Sequence, residues 1–218
     1  ELGSIAPGRR ADVILTSDLN LIPIDVVIAR GVIVAREGKI MVDCPHYHWP
    51  DSARQTVGLG KTLAAADFEI AAPEGANAVK AKVIGVVENQ APTKALTAEL
   101  PVVEGLVEAE GGVAQIALVE RHRATGGVTN GFVSGFGYEG EMAIASTVAH
   151  DSHHMIVVGT SREMMAKAAN RLGEVGGGIT VWKDGAEIAL VELPIAGLMS
   201  DSPAAQVAAQ ADAMVAAM

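Results

Sequence analysis

Short apolar runs punctuated by glycine dominate the first 42 residues. ADVILTS (11–17) predicts one strand, and IDVVIARGVIVAREGKIM (24–41) predicts two or three more. The breaks fall at Arg30-Gly31 and Glu37-Gly38, where glycine supplies the positive φ of a tight turn. The next stretch, VDCPHYHWPDSARQ (42–55), mixes proline, histidine, aromatic and polar residues with no period. It predicts a linker, with a domain boundary at residue 50 between a small all-β piece (1–50) and a larger domain (51–218).

Beyond the linker the pattern is mixed. AVKAKVIGVVE (78–88), VAQIALVE (113–120), EMAIASTVAH (141–150) and HMIVVGT (154–160) each predict a strand. Thr160 and Glu163 then stand at capping-box spacing. Met164, Met165, Ala168, Ala169 and Leu172 follow as the stripe of an amphipathic helix, and GGG (176–178) stops it. ITVWKDGAEIALVEL (179–193) predicts a hairpin turning at Asp184-Gly185. Ser202-Pro203 opens a last helix as N-cap and N1, with Val207, Ala211, Met214, Val215 and Met218 on its buried face. No repeat is present, and the fold class is α+β.

The densest chemistry is HDSHH at 150–154, set between two apolar runs. A strand ending at His150 and resuming by His154 leaves Asp151 and Ser152 to turn the chain, which suits side chains that bond the backbone two positions on. His150 and His153 then converge, with Asp151 able to orient an imidazole. The cluster reads either as capping and packing groups or as a metal or substrate-binding corner. Zinc wants three or four ligands. His122 in ERHRATGG offers a third, although nothing local joins the two stretches. His46 and His48 lie in the linker, where they could ligate a metal but, in a loop beside two prolines, read preferentially as surface residues.

Other motifs carry less. VGLGKT (57–62) lacks the first glycine of a phosphate loop, because position 55 is Gln55. TGGVTNGFVSGFGYEG (125–140) has no strand-then-helix frame for a dinucleotide and reads as a loop that approaches a backbone or ligand closely. No G-x-S-x-G elbow occurs.

Composition narrows the classes. Half the residues are hydrophobic but only 3% aromatic, so the core is aliphatic and exposed rings for base stacking are scarce. A net charge of −10, carried almost wholly after residue 50, argues against nucleic acid and anionic membrane as partners. One cysteine, Cys44, excludes an internal disulfide and fits a cytoplasmic location. No apolar run reaches the roughly 20 residues of a membrane helix. The opening at Glu1 reads as entered mid-protein, so a fragment is expected.

GSIAPGRRADVIL (3–15) resembles the stretch with which amidohydrolase-superfamily enzymes leave their barrel and return to a small β-sandwich. ERHRATGG, GFVSGFG, AIASTVAHDSHHMIVVG, NRLGEVGGGI and LPIAGLMSD, in that order, resemble the C-terminal domain of bacterial adenine deaminases. The resemblance implies hydrolysis of adenine to hypoxanthine and ammonia, at a manganese or iron centre on a (β/α)8 barrel that this chain lacks. None of that metal's ligands carries over, and His46-Tyr47-His48, although an H-x-H, lies in the wrong place for one. The family writes the turn as H-D-S-H-N, and here His154 replaces Asn.

The resemblance further implies that His122, His150, Asp151, Ser152 and His153, with the 125–140 loop, face the barrel mouth and bind purine or order water. An unmatched buried donor or acceptor costs about 1–3 kcal/mol, which would discriminate adenine by its amino group. The chain alone is expected to be inactive, to take its own barrel as partner and to form a homo-oligomer. Two alternatives stand beside this: a non-catalytic structural module, and an independent metal-binding domain built from His122, His150 and His153.

Overall fold

The computed structural model describes residues 2–20, 24–45, 47–54, 56–138, 140–150 and 152–218. The chain forms two compact units, Glu1–His48 and Trp49–Met218. The first is an antiparallel meander of β1 (Val13–Leu15), β2 (Val26–Ala29), β3 (Val32–Arg36) and β4 (Lys39–Ile40), paired in chain order. Its turns fall on the expected pairs, with φ of 52° and 80° at Arg30 and Gly31 and of 49° and 74° at Glu37 and Gly38. None of its described residues is fully buried.

The second unit begins with a one-turn helix α1 (Asp51–Arg54) and a 3-10 turn at Ala65–Phe68. Its strands are β5 (Ala78–Gly85), β6 (Lys94–Val103), β7 (Leu106–Val107), β8 (Val113–Val119), β9 (Val128–Ser134), β10 (Met142–Ser146), β11 (Met155–Gly159), β12 (Gly178–Lys183) and β13 (Ala186–Glu192). Helix α2 (Arg162–Val175) and helix α3 (Ala204–Ala217) complete it. The nine strands form one sheet in the order β13-β12-β10-β11-β8-β9-β5-β6-β7. Among the described residues only β5 with β9 is a parallel pair; the other pairings of this sheet are antiparallel. Strands β5 to β9 fill one half of the sheet and β10 to β13 the other, and the β8–β11 ladder joins them.

The pleat sorts the core. Ala117, Val119, Ala143, Ala145, Met155 and Val157 point to one face, where α2 lays Met164, Met165, Ala168, Ala169 and Leu172 over them. Each large apolar side chain buried there contributes about 1.5–3 kcal/mol. Met142, Val181, Ala189 and Val191 point to the other face, under Met214 of α3. The α2 stripe and the hairpin form as the sequence predicts. Gly176 ends α2 in the left-handed conformation, and Asp184 and Gly185 turn β12 into β13 with φ of 49° and 87°. No described helix is long and apolar enough to cross a membrane.

Four expectations change. Thr160 does not cap α2: Ser161 occupies the N-cap without a side-chain bond. The Thr160 hydroxyl instead donates to the Gly140 carbonyl (2.7 Å) and accepts from the Met142 N–H (3.0 Å), tying the start of β10. The strand expected to reach His150 stops at Ser146, because Thr147 turns inward. Its buried hydroxyl accepts from the Gly178 N–H (2.8 Å) and donates to the Gly197 carbonyl (2.6 Å). The glycine-rich 125–140 stretch is not one loop, since Val128–Ser134 is β9 inside the sheet. Helix α3 starts one residue later than expected, with Pro203 at the N-cap. Its covered side runs through Val207, Gln210, Met214 and Ala217, leaving Ala211, Val215 and Met218 exposed, because one narrow face of the helix lies over β13.

Candidate functional site

Val119 and Met155 are registered partners at the end of the β8–β11 ladder. Residues leaving β8 therefore lie against residues entering β11, and ERHR (120–123) meets the histidine turn. The His122 Nε2 lies 3.0 Å from the Ser152 carbonyl oxygen. A carbonyl can only accept, so Nε2 carries the proton in this contact. The His122 ring also leans on the His154 ring, with centroids 4.8 Å apart and planes 51° apart.

The turn is built from backbone. The His153 N–H donates to the Ala149 carbonyl (2.8 Å), and the Ser152 N–H to the His150 carbonyl (3.0 Å). His153 itself takes a left-handed φ of 49°, which costs a non-glycine residue free energy unless its surroundings fix it. Arg121 supplies that fixing. Its Nε donates to the His153 carbonyl, and both terminal nitrogens donate to the Ala196 carbonyl at 3.2 Å. Arg121 is only 2% exposed, and burial pushes its guanidinium down from its ordinary value, yet an arginine stays charged.

Glu120 shapes the loop next to it. Its carboxylate accepts from the N–H groups of His122, Arg123 and Thr125 and from the Thr125 hydroxyl. Partial desolvation pushes this carboxyl up, but the hydrogen bonds outweigh it and hold the group at about 2. The VGLGKT segment, rejected as a phosphate loop, lies along this same loop. The Gly58 N–H donates to the Arg121 carbonyl at 2.9 Å. Gly60, at φ +77°, sits so close that a Cβ would stand 2.2 Å from the Ala124 carbonyl oxygen.

The structure thus sets His122 against Ser152 and His154, places Arg121 on the His153 carbonyl, and leaves His150 exposed at the edge of the turn. Asp151 and His46 lie outside the described residues. His153 and His154 are half-buried, and the Nδ1 of each is buried with no hydrogen-bond partner among the described residues. Sequence reasoning missed Arg121, Glu120 and the part played by His154. The available signal was the charged E-R-H-R cluster directly after a strand's apolar run. Among the described residues, no three His, Cys, Asp or Glu side chains are grouped so as to hold a metal ion. The arrangement is suited to hydrogen bonding at an imidazole-rich edge.

Comparison with known proteins gives this edge a context. Residues 90–218 match the family model described as the adenine deaminase C-terminal domain. An adenine deaminase of Ruegeria sp. (strain TM1040) is 78% identical over all 218 residues, which span 36% of that protein. One of Paracoccus denitrificans (strain Pd 1222) is 65% identical over the same length, again 36% of its own. One of Moorella thermoacetica is 45% identical over 212 residues, 96% of this chain and 35% of that protein. The chain therefore spans just over a third of the length of the curated relatives it matches.

Proposed function

The chain belongs to the adenine deaminase C-terminal domain family, and on that footing we propose that it is the C-terminal portion of a cytoplasmic adenine deaminase. In the reaction, water replaces the amino group on the purine: a carbon–oxygen bond forms at C6, the carbon–nitrogen bond breaks, and ammonia leaves. On this reading the manganese or iron centre lies on a barrel outside these residues, and no part of the metal chemistry falls to them. Their contribution is an edge that holds purine or water by hydrogen bonds.

The observation that carries the reading is the meeting of the exposed His122 with the Ser152 carbonyl and the His154 ring, in a turn whose His153 carbonyl is held by Arg121. Surface imidazoles held in a fixed frame are what a binding edge needs. One observation favours the structural-module alternative: the turn's carbonyls are spent on its own domain.

The test is the adenine-to-hypoxanthine rate of the full-length enzyme with His153→Ala, alongside its metal content. A fall in kcat/KM of about tenfold or more with metal retained supports the binding edge. A rate within about twofold of wild type assigns the turn to structure alone. The 218-residue chain by itself is expected to leave adenine unchanged.

A further inference from the structure

We infer that Arg121 is a positioning residue for the deamination, acting by clamping the backbone that aims the His153 and His154 imidazoles; the inference rests on the binding-edge reading above. A guanidinium with so little exposure has given up its water, and that loss has to be met by other partners. All three of its hydrogen bonds go to main-chain carbonyl oxygens, on His153 and Ala196, and among the described residues it forms no ion pair. A carboxylate would compensate the charge better than a neutral carbonyl. The charge is therefore placed for what it holds.

What it holds is unusual backbone. His153 and Ala196 both have left-handed φ, 49° and 58°. Gly197 follows Ala196 at φ +69°, where a Cβ would stand 2.7 Å from the Arg121 Nη1. The planar fork thus spans two strained carbonyls on different segments, with a bare glycine backbone against it. Lysine offers one point of charge and cannot hold both carbonyls in one plane. Rotating the His153 peptide would swing its side chain and that of His154 with it. Misplacing a reacting or binding group by about 1 Å can cost a hundredfold in rate.

The experiment uses the metal-loaded full-length enzyme and compares Arg121→Ala, Arg121→Lys, His153→Ala and the core variant Leu172→Ala. Arg121→Ala and Arg121→Lys should each lower kcat by about ten- to a hundredfold with metal content unchanged, and KM should move less than kcat. Millimolar methylguanidinium should restore a measurable part of the Arg121→Ala loss and do nothing for Leu172→Ala, which loses stability without touching the clamp. If Arg121→Ala does not fold, the Arg121→Lys kcat decides. Rates within about twofold of wild type for either folded Arg121 variant, or an Arg121→Ala loss that methylguanidinium leaves unchanged, overturn the clamp. A normal rate for His153→Ala would instead overturn the binding-edge reading beneath it.

Discussion

His122 Nε2 stands 3.0 Å from the Ser152 carbonyl, across a gap of 30 residues in the chain. Because this bond lies at the surface, its loss should be cheap in stability and expensive in alignment. His122→Ala is expected to cost at most about 1 kcal/mol in denaturant unfolding. In the full-length enzyme it should lower kcat/KM about tenfold. Equal small effects on both would show that the imidazole only caps the turn.

Glu120 makes the loop before the turn sensitive to acid. Its carboxyl sits at about 2 in the folded protein against an ordinary 4.5. A value lowered by folding means the ionised form is the one the native loop prefers. Its contribution is complete above about pH 4.5 and is lost as pH falls through about 2. Glu120→Gln should therefore flatten the dependence of Tm on pH between those limits and leave the profile above pH 5 parallel to wild type. Identical slopes in wild type and variant would remove Glu120 from this role.

Asn170 of α2 pairs with both backbone groups of Leu63, accepting from its N–H at 2.9 Å and donating to its carbonyl at 2.8 Å. One amide thereby pins the approach to the 3-10 turn onto the helix. Asn170→Ala leaves both groups unpaired in a half-buried place and should cost about 1–3 kcal/mol. Urea unfolding measures it, and a change below about 0.5 kcal/mol would mean water replaces the amide at no loss.

Gly60→Ala should destabilise the second unit by at least about 2 kcal/mol, since the added carbon would press on the Ala124 carbonyl and the φ suits glycine. The same push moves the loop that carries His122, so turnover in the full-length enzyme should fall along with Tm. Unchanged Tm would mean the 57–62 segment is free to lift away.

Local pattern was enough where an element is read along its own length. The α2 stripe from Met164 to Leu172 and the Asp184-Gly185 hairpin are of that kind. β9 was hidden because Gly131 and the glycines on either side of Val128–Ser134 weaken its alternation, and what makes it a strand is pairing with β8 and β5. The site was half legible. HDSHH advertised itself, whereas its meeting with His122 depends on Val119 standing opposite Met155, a register between strands that no local period encodes. Arg121 was passed over because a charged residue after a strand ordinarily points to water.

The nine-stranded sheet consists of two half-sheets stitched by a single five-pair ladder, β8 to β11, with the histidine turn at one end of the stitch. Neither half owns the site. A chain cut between β9 and β10 would yield two pieces, one bearing Arg121 and His122 and the other His153 and His154, and only their complementation could rebuild the edge. The turn is in that sense a certificate of assembly: it exists only once both halves of the domain have found each other.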